Sequence, residues 1–370
     1  MLPALARARF LVLLFACLLG VLPPDGEAAP FKLGGKPKIA FIYAASTRDG
    51  GWNESIDNAR KLVEKELGMP IAIAESIPEE ATALRNAIDL FVKRGFNIIV
   101  TTSYGYSDGV LEAAKKYPGV AFLAASGTTN AANLESFYTR TYQGWYLAGM
   151  AAASVSKTKK LGMLGGFPVS VVNWDMNAFA RGAQAVDPAS QTIVIYTNSW
   201  WDPVKEGQVA KAMLDQGADV IANNLSSAGP FTVAEKNGRS SVGFQLDMSK
   251  HAPKGHLTSV VFHWEKHLVP TFRRIIAGTW TPSEYGAFPG IDQGVVDITP
   301  LGSRVPPAVA TRIREVRARM IAGKFSPFEG PVVRQDGSTA VAAGTALADE
   351  ALWAMDYLVK GTIGTMPAAK

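Results

Sequence analysis

From Lys38 onward the chain alternates short apolar runs with amphipathic stretches, and it does so in two successive blocks. This alternation constrains the fold more than any single motif. A strand, a helix and a further strand close most readily as a right-handed parallel crossover. The runs Lys38–Tyr43 and Asn97–Thr102 are almost continuously apolar, as strands covered on both faces must be. With 370 residues, 48% hydrophobic and 19% charged, the chain can bury two ordinary cores.

In the first block the pattern predicts strands at Lys38–Tyr43, Pro70–Ala74, Asn97–Thr102 and Val120–Ala125. Helices are predicted at Glu54–Leu67, Pro78–Arg94 and Gly109–Lys116. The first has Ile56, Ala59, Val63 and Leu67 on one face and Gly68 at its end. After a connector at Ser126–Thr141 the pattern restarts. The Ala- and Gly-rich stretch Gln143–Ser156 predicts a closely packed helix. Strands follow at Lys160–Gly165, Gln191–Thr197, Val220–Asn223, Ser241–Leu246 and Leu257–Phe262, with helices at Asn177–Ala185 and Pro203–Gln216. Helix Glu265–Ala277 and strand Gly294–Thr299 are expected to complete the first lobe. Helices at Pro306–Ala322 and Thr345–Val359 finish the chain.

Residues 1–28 read as a leader outside the fold. Arg7 and Arg9 precede the apolar run Phe10–Leu22, and Gly26 and Ala28 are the small residues of a cleavage site before Ala29. The run is short for a membrane span, which needs ~20 residues. The only cysteine, Cys17, lies in this leader, so the mature chain carries no disulfide. Lipidation at Cys17 is the weaker reading, because bulky Phe15 stands where a small residue is needed. Export to the periplasm is expected. The leader holds two residues of each sign, so the net charge of +5 belongs to the mature chain. No dense Lys/Arg stripe accompanies it. The cluster Lys157-Thr158-Lys159-Lys160 reads as a solvated turn, and nucleic acid is not an expected partner.

Catalytic signatures are few. The four histidines, His251, His256, His263 and His267, fall in one stretch, and two are four residues apart. The zinc-protease pattern is absent, since Trp264-Glu265-Lys266 follows His263. There is no Gly-x-Ser-x-Gly elbow and no P-loop. No metal, no cofactor and no enzymatic activity are expected.

Aromatic residues instead recur at the ends of predicted strands: Trp52, Tyr104 and Tyr106 in the first block, then Trp174, Trp200-Trp201 and Trp264. Loops at the carboxyl ends of parallel strands form the ligand crevice of open α/β sheets. Asp49, Asn53, Asn223, Asn224 and Asp247 are the nearby polar candidates. Two rings facing each other across a cleft would hold a planar ligand, and carboxylates would orient its N–H groups. For Asp247 a turn cap is the competing role.

Taken in order, Asp49-Gly50-Gly51-Trp52-Asn53, Thr102-Ser103-Tyr104-Gly105-Tyr106, Tyr196-Thr197-Asn198-Ser199-Trp200-Trp201-Asp202-Pro203, Gly243-Phe244-Gln245-Leu246-Asp247 and Thr258-Ser259-Val260-Val261 resemble the basic membrane protein family of substrate-binding proteins. The resemblance runs from about Lys38 to Val359. It implies the type I periplasmic binding protein fold: α/β, two doubly wound parallel-sheet lobes joined by a three-crossover hinge. The implied segments are 36–141 plus 263–300 for lobe 1, 142–262 plus 301–360 for lobe 2, and 361–370 as a tail. It further implies a receptor that delivers a purine-type ligand to a membrane ABC permease; a purine nucleoside receptor and a sensor module serving a membrane receptor are the alternatives, and a monomer is expected.

By the same resemblance, Trp52 or Tyr104 and Trp200 would stack on the base. Asp247 matches the family's acidic residue, and Asn53 its first-loop asparagine. Asp49, Tyr106, Trp174, Asn224, Phe262 and Trp264 complete the expected ligand-binding set. Nucleoside-binding relatives tend to carry a lysine after the Thr-Ser-Val-Val-like strand. Phe262 or His263, followed by Trp264, stands there in this chain, which points to a free base such as adenine rather than a nucleoside.

Overall fold

The computed structural model describes residues 30–367. The leader with Cys17 and the last residues of the tail lie outside the described residues. The first block forms β1 (Ile39–Ile42), α1 (Trp52–Leu67), β2 (Ile71–Ala74), α2 (Ala81–Lys93), β3 (Ile98–Thr101), α3 (Ser107–Lys116), β4 (Ala121–Ala125) and β5 (Leu134–Phe137). These five strands make one sheet, ordered β2-β1-β3-β4-β5 and parallel throughout. The apolar runs are explained by their two faces. Ile39 and Phe41 pack with Ile56, Ala59 and Val63 of α1, whereas Ala40 and Ile42 pack with Leu84 and Ile88 of α2 and Val110 of α3.

The second block forms α4 (Thr141–Val155), β6 (Lys160–Gly165), α5 (Ser170–Val186), β7 (Gln191–Tyr196), α6 (Pro203–Asp215), β8 (Val220–Asn223), α7 (Gly229–Lys236), β9 (Ser240–Gln245) and β10 (His256–Phe262). Next come α8 (Glu265–Ala277), β11 (Val296–Ile298), α9 (Pro307–Ile321), β12 (Val332–Val333), β13 (Thr339–Val341), α10 (Asp349–Trp353) and β14 (Thr362–Ile363). The second sheet is ordered β11-β10-β9-β8-β6-β7-β14, and its β11 alone runs antiparallel to its neighbour. Helix α4 is buried almost all round. Its Gly149 meets the Phe179 backbone, and Gly182 of α5 meets that of Tyr146, so a Cβ on either would force the two helices apart.

The chain passes between the sheets three times: at Tyr138–Thr141, at Phe262–Glu265, and between Ala287 and Val296. The middle passage carries α8 back beside α1, where Phe272 meets Phe41 with ring centroids 6.2 Å apart. Backbone bonds tie the passages together. Tyr138 N–H donates to Ala287 at 3.0 Å, Arg140 to Pro289 at 3.1 Å and His263 to Val295 at 2.9 Å.

Several expectations are corrected. The strand at Gly294–Thr299 does not complete the first lobe; its core, β11, pairs with β10 at the edge of the second sheet. The helix expected over Thr345–Val359 shrinks to Asp349–Trp353. The rest runs extended across α5, held by Asn173 Nδ2 on the Met355 carbonyl at 2.9 Å and Asn177 Nδ2 on that of Tyr357 at 2.7 Å. The connector Ser126–Thr141 contains a full strand, β5. Helix α5 begins at Ser170 rather than Asn177, with Val169 extended as its N-cap.

Candidate ligand-binding cleft

The loop from β1 to α1 builds one wall. Asp49 is used as a cap of α1. Its Oδ1 accepts from the N–H groups of Gly51 (2.9 Å) and Glu54 (3.1 Å), and its Oδ2 from the N–H and Nδ2 of Asn53 (3.0 and 2.8 Å). A carboxylate there satisfies orphan donors and complements the helix dipole. The Asn53 Oδ1 lies 3.4 Å from Thr102 Oγ1, a hydroxyl that also donates to the Ile42 carbonyl at 3.1 Å. Trp52 donates its Nε1–H to the Thr102 carbonyl at 2.6 Å and stacks on Tyr138. Beyond β3, Tyr104 is exposed beside Glu79, whose Oε1 accepts from the Ser103 hydroxyl and the Gly105 N–H.

The facing wall comes from the second sheet. After β7, Trp200 rests against Phe167 with ring centroids 4.9 Å apart, and Asp202 caps α6 through the Lys205 N–H at 3.0 Å. The loop after β8 carries Asn224, Leu225 and Ser226. It is anchored by the fully buried Glu206, which accepts from Ser227 Oγ (2.6 Å), Asn223 Nδ2 (3.2 Å) and the Asp202 N–H (3.0 Å). Burial raises the Glu206 carboxyl above its ordinary range. Beneath the same loop Asp175 accepts from Asn224 Nδ2 (2.9 Å) and Thr141 Oγ1 (2.5 Å), and burial pushes this carboxyl up as well.

Between the walls lies a cavity of about 490 Å³, within the range of small-molecule sites. Its lining is largely aromatic and aliphatic: Trp52, Tyr104 and Tyr138 on one side, Val171, Val172, Trp200, Trp201 and Phe244 on the other. Two lining residues outside glycine hold a left-handed backbone, Ser126 (φ 59°) and Gln245 (φ 72°). Such conformations are uncommon and persist where surrounding structure enforces them. The lobes touch at one rim. Trp52 N–H donates to Ser226 Oγ at 3.3 Å, and a Cβ on Gly51 would collide with Ser226 and the Gln245 amide.

Of the expected residues, Asp49, Trp52, Asn53, Tyr104, Trp200 and Asn224 line this cavity. Tyr106, Trp174, Asp247, Phe262 and Trp264 do not. Tyr106 closes a short 3₁₀ turn and donates its hydroxyl to the Ile77 carbonyl at 2.5 Å, inside the core. Trp174 lies within α5, fully buried, with its Nε1–H on Thr141 Oγ1 at 3.0 Å. Asp247 is exposed and caps a turn through the Ser249 N–H at 2.9 Å. Phe262 and Trp264 lie behind Trp52, edge-on to it at 5.8 and 5.7 Å. Sequence reasoning missed Arg48, Tyr138, Ser226 and Gln245. Ser226 follows β8 and Gln245 ends β9, so both obey the same strand-end rule as the residues that were found. Tyr138 sits on a passage between lobes and has no local signal.

Among the described residues, no group of three His, Cys, Asp or Glu is placed to hold a metal ion. His263 faces Glu265 at 3.8 Å and the buried His267 faces Glu135 at 4.0 Å, so the two rings point to different neighbours. No helix of the described residues is long and apolar enough to cross a membrane.

Residues 36–323 match the Bmp family, described as ABC transporter substrate-binding protein PnrA-like. A purine-binding protein of Brucella abortus is 36% identical over 347 residues, covering 92% of this chain and 98% of that protein. Basic membrane protein A2 of Borrelia garinii is 27% identical over 257 residues, 67% of this chain and 74% of that protein. Among solved structures, an ABC transporter solute-binding protein from Conexibacter woesei superposes with a TM-score of 0.64 at 23% identity, covering 78% of this chain and 98% of the other. That likeness shows a shared fold, the type I periplasmic binding protein architecture.

Proposed function

This chain belongs to the Bmp family of PnrA-like ABC transporter substrate-binding proteins, and from that premise we propose that it captures a free purine base in the periplasm. Members of this family are solute receptors, not enzymes, and work with a membrane permease. Capture requires no bond to be made or broken. The ligand bridges the two walls and shifts the lobes toward closure by binding the closed state more tightly.

The observation that carries the purine reading is the aromatic lining contributed by both lobes around one cavity of about 490 Å³. Flat rings favour a flat heterocycle by offset stacking, about 0.5–1.5 kcal/mol beyond burial. The preference for a base over a nucleoside is supported by the carboxylates. Asp49 has both oxygens filled by the α1 N-terminus, and Glu79 is engaged by Ser103 and Gly105. Asp49 is therefore not free to chelate a ribose diol, and Glu79 has one oxygen, Oε1, already taken. Asp247, expected to orient the ligand, is committed to its turn. The name of the Brucella relative is in keeping with this reading. Export rests on the leader Arg7–Ala28.

Isothermal titration with adenine and adenosine tests it. Tighter binding of adenine is the expected result. Tighter binding of adenosine would keep a purine receptor and overturn the free-base proposal. Binding of neither, together with no purine released from the purified protein on denaturation, would overturn the purine reading itself.

A further inference from the structure

Two amide side chains of the second lobe line the cleft, Asn224 and Gln245. A side-chain amide shows an acceptor or a donor according to which way it is turned. Buried partners decide this at both positions. Ser226 Oγ accepts the Trp52 N–H, so its own proton goes to the Gln245 Oε1 at 2.9 Å. That leaves Gln245 with its NH₂ toward the cleft.

At Asn224 the decision passes through a longer chain. Trp174 Nε1–H donates to Thr141 Oγ1, which in turn donates to Asp175 Oδ1. With Asp175 as the carboxylate, the remaining oxygen, Oδ2, accepts from Asn224 Nδ2 at 2.9 Å. Asp175 is fully buried and lies behind the cavity wall. Building on the purine reading, we propose that Asp175 is the positioning residue for cleft specificity: by holding the NH₂ of Asn224 it turns the Asn224 carbonyl to the ligand, which selects a base edge with an amino donor, as in adenine, over one with a carbonyl, as in hypoxanthine. A carbonyl facing a carbonyl leaves two buried acceptors unpaired, and sites built on a hydrogen bond reject such analogues strongly.

Asp175→Asn tests the assignment with little change of shape. The Thr141 hydroxyl still needs an oxygen opposite it, so the new nitrogen falls at the Oδ2 place and offers Asn224 a donor. Asn224 must then turn its carbonyl inward and its NH₂ to the cleft. The expected result is a fall of about tenfold or more in the ratio of adenine to hypoxanthine affinity. Equal weakening of both bases would show a merely structural role and overturn the proposal. A second readout needs no ligand and no variant: hydrogen exchange of the Asn224 side-chain NH₂ in the wild-type protein by ¹⁵N NMR. Slow exchange is expected, and exchange at the rate of a solvent-facing amide would overturn the proposal. If wild type binds neither base, the purine reading falls, and the exchange measurement alone then decides the orientation of Asn224.

Discussion

Single residues in this cleft differ by what braces them. Trp200 and Trp201 are neighbours of identical chemistry, exposed by 40% and 57%. Trp200 leans on Phe167 and on Gly166, where any side chain would strike its ring. Trp201 has no aromatic partner among the described residues and is the more exposed of the two. A held ring loses less freedom on binding. Trp200→Ala is therefore expected to weaken ligand binding by about 2 kcal/mol, the scale of a buried aromatic hot spot, and Trp201→Ala by less. Titration of both variants checks the ranking. The sequence identified this tryptophan pair but not its bracing. The same limit applied to Tyr104 and Tyr106. They share one loop, and only the 3₁₀ turn decides that the second points into the core.

Elements show where local pattern stops being informative. Helix α8 was legible from its apolar face, yet its location beside α1 depends on the chain returning from the second sheet. That return buries His267 against Phe137 and opposite Glu135, with ring centroids 5.1 Å apart in the aromatic pair. Burial, and secondarily Arg274, lowers the His267 pKa from 6.5 to about 4. The folded imidazole thus stays neutral while the unfolded one takes a proton below pH 6.5. Its contribution to stability is complete above pH 6.5 and is lost as pH falls toward 4, roughly 3 kcal/mol in all. Glu135 moves the opposite way, since burial raises its carboxyl. The clean measurement is the difference in urea stability between wild type and His267→Gln. That difference should shrink between pH 7 and pH 4.5; a constant difference would contradict the assignment.

For the whole molecule the decisive contact is the rim where the lobes meet. Gly51 allows the β1–α1 loop to press against Ser226 and Gln245, leaving no room for a Cβ. Gly51→Ala is expected to prop the lobes apart without disturbing either core. Its ligand affinity should fall by about tenfold or more, because the closed state becomes less populated. Small-angle scattering with saturating ligand should give a larger radius of gyration than wild type. An unchanged radius and affinity would mean that this contact does not govern closure. The C-terminal segment also bears on the hinge. Arg140, on the first passage, pairs with Asp349 at 2.7 Å, and Trp353 packs on Trp174 at 5.0 Å.

The sequence by itself determined the alternation of strands and helices, the parallel sheets and the class of site, because those follow from periodicity and from strands buried on both faces. It also reached six of the lining residues, since strand ends place side chains in the crevice whatever the rest of the chain does. Only the tertiary structure decided that Asp49 and Asn53 are consumed by a helix cap and that Trp174, Phe262 and Trp264 form the layer behind the cavity. It alone brought Tyr138 to the cavity. Hydrogen-bond partners and ring neighbours here lie far apart in sequence, as Trp52 does from Ser226, 174 residues on, and Phe31 from Trp280. No local pattern carries information about which distant group will occupy a given donor or face.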